Sequence, residues 1–422
     1  MIIFMGSRRI HTYAASFGDD LAKQLINDNT KPGDLILDPF SGAATCMVQA
    51  RILGRSAVGI DIDPVACLIA RVITGQYTEE EIDELVKFGN EGTKDVVALA
   101  SNIIDRDPVV SPGSSFSING YKPFVPQNDS IAYWFSPIQR AVLAALMEVA
   151  RTTKNQRLQA AEYLAISAAI IHKWPHTISL ARDVDHSRPH RTEREDISVD
   201  SEIRTFRRCI KNIAVVLRNV KDALPESNGV YKVIEGDACE ELALLDPGSV
   251  DYVLTSPPYF DAIDYPRAHK FSEWWLWPDR EISSALYIGL KPGGKVKKDA
   301  SILSANQLIP ESMPVILPIS ELSGSLFARL VRYIVDLDKV ISGLGHAIRT
   351  GGLLNLIIAN NVVREVEIPV VELIKRLLEK NGFGECKVVS RNIASNRRRY
   401  PYGIRGFQGL MKTEYIISAV RS

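Results

Sequence analysis

The tetrapeptide Ser256-Pro257-Pro258-Tyr259 is the segment of this sequence best suited to chemistry. It follows the apolar run Tyr252-Val253-Leu254-Thr255, which predicts a buried strand ending in a stiff loop, because proline fixes φ and has no N–H to continue a sheet. Such a loop holds carbonyl and hydroxyl oxygens and an aromatic face in fixed positions. The oxygens can accept hydrogen bonds from an amino group on a planar substrate, and Tyr259 can stack on its ring. Taken alone, the tetrapeptide also fits an ordinary turn after a strand.

Two earlier segments also place polar residues at the ends of predicted strands. Leu35–Asp38 is followed by a glycine-containing turn and a run of helix formers, and Ala57-Val58-Gly59-Ile60 is followed by Asp61. This order of strand, turn, helix, strand and acid is the βαβ pattern of a parallel sheet. Ligands of open parallel sheets bind beyond the carboxyl ends of the strands. The segments expected to meet at that edge are Asp38 to Thr45, Asp61, Asp237 and Ser256 to Tyr259.

The ligand that these residues predict is a nucleoside without phosphates. Gly42 allows close approach of the backbone, and Asp61 can accept hydrogen bonds from two ribose hydroxyls. Asp237, after a third predicted strand, can accept from an adenine amino group. The sequence has no G-x-G-x-x-G fingerprint and no phosphate-cradling lysine after the turn. S-adenosylmethionine is the commonest cofactor of this kind.

Three motifs carry a resemblance to a known family. Asp38-Pro39-Phe40-Ser41-Gly42-Ala43-Ala44-Thr45 resembles the D-P-F-x-G-x-G-T cofactor motif of amino-group DNA methyltransferases, and Gly59-Ile60-Asp61-Ile62-Asp63-Pro64 resembles their acidic ribose-binding motif. Ser256-Pro257-Pro258-Tyr259 matches their catalytic motif, [D/N/S]-P-P-[Y/F/W]. The stretch from His11 to Leu25 is similar to the family's segment that contacts the methionine moiety. The resemblance covers the N-terminal quarter and most of residues 229–422, but not the stretch between them.

The resemblance implies S-adenosylmethionine as cofactor and assigns the site residues. The implied cofactor-binding residues are His11, Phe17, Asp38, Pro39, Phe40, Ser41, Gly42, Thr45, Asp61, Ile62, Asp237 and Ala238, and the implied catalytic residues are Ser256, Pro257, Pro258 and Tyr259. Ala44 departs from the motif, because it stands where the family has its second glycine. We expect this alanine to be tolerated unless residue 44 needs a positive φ.

The implied mechanism is direct displacement on a base. The Ser256 hydroxyl and the Pro257 carbonyl would accept both hydrogens of the exocyclic amine and localise its lone pair toward the methyl group. Tyr259 would stack on the base after it flips out of the duplex. Serine at the first motif position is associated with cytosine N4 in the family, whereas aspartate and asparagine are more typical of adenine N6. We therefore predict a cytosine-N4 methyltransferase, with adenine N6 as the alternative. The Pro-Cys dipeptide of carbon-5 cytosine methyltransferases is absent.

The predicted fold is α/β: a doubly wound, mostly parallel, seven-stranded methyltransferase sheet with a mainly helical insert domain. Residues 1–75 would form the cofactor half of the catalytic domain. Residues 76–227 would form the insert, a candidate target-recognition domain. Residues 228–422 would complete the catalytic domain, with 276–320 as an extra DNA-facing segment.

Basic residues in three places are candidates for contact with DNA phosphates and bases. These are Arg182, Arg188, Arg191, Arg204 and Arg207 in the insert, Arg267, His269 and Lys270 beyond the catalytic loop, and Arg397, Arg398 and Arg399 near the C-terminus. Acids interleave with the arginines of residues 182–196, so a solvated loop is an equal alternative there. Trp274 and Trp275 fit the core of an amphipathic helix better than the wall of a base pocket. The histidines of the insert lack metal-ligand spacing, so no metal site is predicted.

Composition sets limits on the compartment and the partners. The 50 basic and 50 acidic residues balance, so any basic surface must be local. The five cysteines are scattered without a C-x-x-C pair, which is typical of a reducing cytoplasm. No apolar run reaches membrane-spanning length, and no signal pattern opens the chain. The expectation is therefore a cytoplasmic protein without a membrane partner.

The resemblance implies double-stranded DNA as the partner in a restriction–modification setting, with a cognate restriction endonuclease that acts separately. An RNA methyltransferase is a rival hypothesis, but it predicts an appended RNA-binding module, which the sequence does not show. A non-catalytic DNA-binding protein on the same scaffold is a second rival. It would be expected to lose Asp61 or the catalytic tetrapeptide, and the sequence has both.

Overall fold

Apolar runs separated by polar turns form one seven-stranded sheet in the part of the chain that the structure describes. The structure is a computed structural model, and it describes residues 10–11, 17–171, 176–181, 197–224, 229–260, 265–280, 287–288, 306–307, 309–363, 366–392 and 413–422. The strands are β1 (Leu35–Asp38), β2 (Ser56–Asp61), β3 (Tyr231–Glu235), β4 (Val250–Thr255), β5 (Ile348–Ile358), β6 (Asn361–Val363), β7 (Val366–Ile368), β8 (Lys387–Asn392) and β9 (Thr413–Val420). Strands β6 and β7 pair only with each other.

The strand order in the sheet is β3-β2-β1-β4-β5-β9-β8. The first five strands in this order are parallel, and β9 is antiparallel to both of its neighbours. The chain winds outward from β1 toward β3, and later continues on the other side of β1 with β4. The carboxyl ends of β1 and β4 therefore flank a topological switch point, where open α/β sheets bind ligands. The predicted doubly wound, mostly parallel, seven-stranded sheet is confirmed.

The described residues divide into two compact units. The sheet unit comprises Ala15–Asp63, Pro225–Asp264 and Ile282–Ser422. The helical unit comprises Met1–Ala14, Pro64–Leu224 and Tyr265–Glu281.

The described helices are distributed between these units. Those of the sheet unit are α1 (Asp19–Asn29), α2 (Thr45–Ile52), α10 (Ala238–Glu241), α12 (Met313–Leu322), α13 (Gly324–Ala347) and α14 (Val370–Lys380). Those of the helical unit are α3 (Pro64–Thr74), α4 (Glu79–Lys87), α5 (Thr93–Arg106), α6 (Ile131–Trp134), α7 (Pro137–Arg151), α8 (Gln156–Ile170), α9 (Val199–Asp222) and α11 (Tyr265–Leu276). No helix in the described part of the chain combines the length and the apolar character needed to cross a bilayer.

The core of the sheet unit lies between the sheet and its helices. Helix α13 contributes a stripe of buried side chains at helical spacing, including Leu326, Leu330, Leu337 and Leu344. These pack with apolar residues of β1, β4 and β5. On β2, a Cβ atom at Gly59 would lie 2.3 Å from the Met47 sulfur of α2. Glycine at this position therefore lets α2 approach the strand closely.

The helical unit extends beyond the predicted insert of residues 76–227. Helices α3 and α11 lie outside that range in sequence, yet both pack on α8. The buried faces explain this arrangement: ten of the eleven residues of α3 are buried, and Trp275 of α11 is 1% exposed. Trp275 stacks edge-on against Phe135 at 5.7 Å between ring centroids, which places this tryptophan in the core.

Candidate active site

The carboxyl ends of β1, β2 and β4 bring three of the predicted motifs together. Asp38 at the end of β1 pairs in register with Gly59 of β2, and Leu37 pairs with Val253 of β4. The last residue of β4, Thr255, donates its hydroxyl to Oδ1 of Asp38 at 2.6 Å. This bond joins the predicted cofactor motif to the residue that directly precedes the predicted catalytic tetrapeptide. Sequence analysis did not single out Thr255.

The loop after β1 is tied to the end of β2 by backbone donors. The Ser41 N–H donates to the Ile60 carbonyl at 2.9 Å, and the Gly42 N–H donates to Oδ2 of Asp61 at 2.8 Å. The other carboxylate oxygen of Asp61, Oδ1, accepts from the Asp63 N–H at 3.0 Å. Asp61 therefore organises the loop with both oxygens. Each oxygen keeps a second lone pair that can accept a hydrogen bond from a ligand.

The remaining cofactor candidates of the sheet unit lie on the same segments. Pro39, Ser41 and Thr45 are buried in the loop and the first turn of α2, while Phe17, Phe40 and Ile62 are partly exposed. Asp237 caps helix α10, because its Oδ1 accepts from the Cys239 N–H at 2.9 Å. The Gly236 N–H donates to the Asp61 carbonyl at 2.9 Å. The segment Gly236 to Ala238 is thereby attached to the end of β2, next to the ribose-binding candidate.

Ala44, which stands where the family motif has a glycine, adopts a backbone conformation that favours glycine. Its φ is 60° and its ψ is 24°, in the left-handed region that favours glycine. This conformation costs an alanine about 1–2 kcal/mol. The Ala44 methyl group is fully buried, and burial of one methyl contributes about 0.8 kcal/mol in the opposite direction. An alanine also has less backbone entropy than a glycine in the unfolded chain, and this stabilises the folded state by a further ~0.4–1 kcal/mol. These terms nearly cancel, so the structure accounts for an alanine at a glycine position.

We predict from this balance that Ala44→Gly changes the free energy of unfolding by less than about 1 kcal/mol. Ala44→Val is expected to lose more than about 2 kcal/mol, because a β-branched residue is strongly disfavoured at positive φ and its added carbons would enter a packed site. Urea denaturation of the two variants beside the wild type measures both changes. A valine variant as stable as the wild type would show that residue 44 does not need a positive φ.

Two carboxyl groups at this edge have strongly raised pKa values. Burial raises the pKa of Asp38 to about 7, against hydrogen bonds from Thr255 and Phe40 that lower it. Burial also raises the pKa of Asp61 to about 7, with a further contribution from the charges of Asp63 and Asp38. The site is therefore a cluster of acidic groups in a poorly solvated place. A cation bound there would favour the ionised forms.

The Asp38 pKa predicts how the stability of the ligand-free protein changes with pH. Its pKa is about 7 in the folded protein, against an ordinary value of 3.8, so the unfolded chain releases its proton first as the pH rises. The protonated Asp38 carboxyl therefore favours the folded state. This contribution to stability is complete below about pH 4, is lost as the pH rises toward 7, and changes little above 7. The slope is about 1.4 kcal/mol per pH unit for one group. Asp38→Asn should remove this slope, because Thr255 and Phe40 both donate to Oδ1, which asparagine retains.

Melting curves between pH 5 and 7 test this expectation. As the pH rises from 5 to 7, the unfolding free energy of the wild type should fall relative to that of Asp38→Asn. A difference that is constant across this range would mean that Asp38 ionises normally in the folded protein.

The predicted catalytic tetrapeptide directly follows β4. Pro257 is buried, and Ser256, Pro258 and Tyr259 are partly exposed. The hydroxyl of Ser256 makes no hydrogen bond to any other residue that the structure describes. The Tyr259 hydroxyl lies 3.4 Å from Oε1 of Glu414, at the start of β9. The Pro258 carbonyl accepts a hydrogen bond from the Tyr333 hydroxyl at 2.9 Å. Sequence analysis missed both Glu414 and Tyr333, whose distance along the chain from the motif gives no signal.

His11 belongs to the helical unit, whereas the motifs above belong to the sheet unit. It is 2% exposed, and its Nε2 lies 2.9 Å from the Ser167 hydroxyl. Ser167 in turn donates to the Ser272 hydroxyl of α11 at 2.7 Å. His269, also on α11, is fully buried and its ring lies 6.1 Å from that of His11. The two histidines therefore share a buried polar cluster.

The predicted DNA-contacting residues differ in their surroundings. Arg204 and Arg267 are exposed. The Arg207 guanidinium instead donates to the Gly89 carbonyl at 3.1 Å and to the Thr93 hydroxyl at 3.0 Å, where a π-helical turn, Phe88–Gly92, loosens the usual helix bonds. Lys270 places its ammonium 4.9 Å from the ring centre of Trp134. The candidates Arg182, Arg188, Arg191, Arg397, Arg398 and Arg399 lie outside the described residues.

The strand order, with antiparallel β9 between β5 and β8, defines the α/β methyltransferase fold. Residues 5–72 match the N6/N4 methyltransferase family model, described as DNA methylase. The Type II methyltransferase M.BsoBI of Geobacillus stearothermophilus is 22% identical over 279 residues, which are 64% of this chain and 52% of that protein. The Type II methyltransferase M.MvaI of Kocuria varians is 22% identical over 411 residues, which are 93% of this chain and 85% of that protein.

A solved structure from Thermus thermophilus, described as a DNA modification methylase complexed with S-adenosyl-L-methionine, is 17% identical with a TM-score of 0.24. The match covers 44% of this chain and 51% of that chain. The chain spans about half the length of M.BsoBI. Together with the motifs, these matches support the amino-group DNA methyltransferases, which methylate cytosine N4 or adenine N6 and use S-adenosylmethionine, as the family to which this chain is similar.

Proposed function

We propose that this protein transfers a methyl group from S-adenosylmethionine to the exocyclic N4 amine of cytosine in DNA. The observation that carries the proposal is the hydrogen bond from Thr255 to Asp38 at 2.6 Å. It holds the loop that would accept the amine beside the loop that would hold the cofactor. Both loops lie at the switch point of the sheet, where a ligand can contact them together.

The acidic edge of the sheet fits this cofactor. S-adenosylmethionine combines a ribose, an adenine and a sulfonium cation, and when bound it would supply an electrophilic methyl group. Asp61 would accept hydrogen bonds from the ribose hydroxyls, and the segment of Asp237 and Ala238 would lie against the adenine. The raised pKa values of Asp38 and Asp61 arise mainly from burial, and the charges of Asp63 and Asp38 add to the rise at Asp61. A cation is the ligand charge that such an environment favours.

The catalytic loop would act on the amine by accepting its hydrogens. The lone pair of the cytosine amine is delocalised into the ring, so the free base is a poor nucleophile. Ser256 and the Pro257 carbonyl would each accept one hydrogen and orient the lone pair away from the ring plane, toward the cofactor site. Tyr259 would stack on the base and fix its plane. Alignment of the reacting atoms supplies the rest of the rate enhancement.

The distribution of charge on α9 supports a DNA-facing surface in the helical unit. Arg218 and Lys221, in the second half of the helix, form ion pairs with Glu79, and Arg218 also pairs with Asp83. Arg204 and Lys211, in the first half, are exposed, and neither forms an ion pair with a carboxylate among the described residues. Cations that stay available to solvent are the ones that can neutralise DNA phosphates. We therefore place phosphate contact at the first half of α9.

The substrate is tested by methyl transfer from labelled S-adenosylmethionine to mixed genomic DNA, followed by digestion to nucleosides and mass spectrometry. Labelled N4-methylcytosine is the expected product. Labelled N6-methyladenine would keep the mechanism and overturn the choice of base. Unmodified DNA together with intact cofactor binding would overturn the DNA substrate and favour RNA.

The restriction–modification setting is part of the proposal. Its support is that M.BsoBI and M.MvaI are Type II methyltransferases. If the setting is correct, methylation should be confined to one short sequence, and that sequence should become resistant to one restriction endonuclease. Sequencing of methylated positions on a plasmid measures the first property. Methyl groups spread without a common sequence would contradict the setting.

A further inference from the structure

We propose that Tyr333 is a positioning residue that clamps the catalytic loop through the Pro258 carbonyl. The proposal rests on the proposed function, because it concerns the loop that would accept the amine. Tyr333 lies on α13 and is 1% exposed. Its hydroxyl donates to the Pro258 carbonyl at 2.9 Å. Its ring packs against Phe260, the residue after the tetrapeptide, with 5.3 Å between ring centroids.

The two adjacent prolines explain why this loop needs an anchor from elsewhere. Neither Pro257 nor Pro258 has a backbone N–H, so the middle of the loop cannot donate hydrogen bonds to its surroundings. Its carbonyls are the backbone groups that remain for anchoring. Asn361 of β6 supplies a second contact of this kind, because its side-chain amide donates to the Phe260 carbonyl. Two side chains from distant parts of the sheet unit therefore hold carbonyls on the C-terminal side of the loop.

The clamp sits on a rigid support. Leu330, Ile334 and Leu337 surround Tyr333 on the buried face of α13 and are 0–3% exposed. A buried tyrosine hydroxyl normally requires a hydrogen-bond partner, and the Pro258 carbonyl is such a partner for Tyr333. The helix spans 24 residues, and its packing fixes the position of the hydroxyl. The carbonyl that it holds is fixed in turn.

Fixing the Pro258 carbonyl has a consequence for both neighbours in the loop. A peptide group is planar, so the carbonyl of Pro258 and the N–H of Tyr259 move together. The clamp therefore sets the direction in which Tyr259 leaves the loop. It also leaves the preceding carbonyl, that of Pro257, for the substrate amine. Without the clamp the loop would sample other orientations, and the acceptors would be aligned with the amine for a smaller fraction of the time.

The test compares two variants that each remove one tyrosine hydroxyl. Tyr333→Phe removes the clamp. Tyr231→Phe is the matched control, because the Tyr231 hydroxyl donates to the Arg55 carbonyl, also at 2.9 Å, at the opposite end of the sheet unit's strands. The measurements are amide hydrogen exchange of a peptide that contains Tyr259 and Phe260, the single-turnover rate of methyl transfer with saturating substrates, and the dissociation constant of the cofactor.

For Tyr333→Phe we expect faster exchange at Tyr259 and Phe260 and a methyl-transfer rate lowered about tenfold, as for the loss of one hydrogen bond. Cofactor affinity should stay within about twofold of the wild type, and Tyr231→Phe should change neither the exchange nor the rate. Unchanged exchange in Tyr333→Phe would overturn the clamp. Faster exchange with an unchanged rate would overturn the positioning role. If wild-type protein transfers no methyl group to DNA, the proposed function fails, and the exchange measurement still decides whether the clamp exists.

Discussion

Replacing Ser256 with alanine is expected to lower the rate of methyl transfer about 100-fold while DNA and cofactor affinities change less than about threefold. The change removes one of the two oxygens proposed to accept the amine hydrogens, and preorganised polar groups at a reacting centre typically contribute this much. The loop itself should survive, because the Ser256 hydroxyl makes no hydrogen bond within the described part of the protein. Single-turnover kinetics with labelled cofactor and a filter-binding assay with DNA measure the two effects separately.

Ser249→Ala is the matched control for this experiment. Ser249 is exposed and immediately precedes the other end of β4, so the same chemical change is made outside the site. Its methyl-transfer rate should equal that of the wild type. If Ser256→Ala weakened DNA binding as much as it slowed transfer, Ser256 would be a binding residue, and its proposed role in activating the amine would be wrong.

The second large effect is expected for Asp61→Asn, which should weaken cofactor binding about 100-fold. Asp61 accepts the Gly42 N–H with one oxygen and the Asp63 N–H with the other. An asparagine has one oxygen and one NH₂ group, so one of these two N–H groups would face a donor. The variant also loses the negative charge proposed to receive the ribose hydroxyls, and hydrogen bonds to charged groups contribute about 1.5–3 kcal/mol each. Isothermal titration calorimetry with S-adenosylmethionine measures the change.

Asp34→Asn is the control for the loss of a carboxylate. Asp34 lies just before β1, at the end opposite to the site, and its Oδ2 also accepts a backbone N–H, that of Lys31. This variant should bind the cofactor like the wild type. Normal cofactor affinity in Asp61→Asn would contradict the assignment of Asp61 to the ribose and would move the cofactor site away from the end of β2.

The sheet could be predicted from sequence because its strands are short apolar runs followed by turn residues or acids. Such runs are local signals, and the four strands predicted before Asp38, Asp61, Asp237 and Ser256 are formed as β1, β2, β3 and β4. The motif order then placed Asp38, Asp61 and Ser256 at one edge, since parallel strands share the direction of their carboxyl ends. The sequence also carries a capping-box pattern at Thr78 and a cap-and-proline pattern at Ser136, and both caps are formed.

The contacts that hold the site together could not be predicted from local patterns. Thr255 and Asp38 are 217 residues apart, and Tyr333 reaches Pro258 across 75 residues. No periodicity encodes such pairs, which depend on the packing of whole elements. The positive φ of Ala44 could not be predicted either, because alanine, unlike glycine, does not indicate a left-handed backbone conformation. The cluster of basic residues predicted that Arg207 contacts DNA. In the structure its guanidinium instead donates to the Gly89 carbonyl of the π-helical turn and to Thr93.

One local signal was present but not used. Asn119-Gly120 lies between Ile118 and Tyr121, which form an isolated antiparallel bridge, and both turn residues have positive φ. This is the turn chemistry of a two-residue hairpin. Residues 107–126 form a segment in which proline, glycine and serine interrupt the helical pattern of the sequence. An Asn-Gly pair within it predicts the hairpin directly.

The position of β1 between β2 and β4 has a consequence for how the chain is made. Its neighbour β4 is translated long after it, since Thr255 follows Asp38 by 217 positions. At about 5–20 residues per second a ribosome needs roughly 10–45 s to cover that distance. During this interval one side of β1 has no partner strand. The protein should therefore complete its sheet late in synthesis. Substitutions that weaken β1 should lower the yield of folded protein, above all at a high rate of protein synthesis, by more than the stability of the finished molecule would suggest.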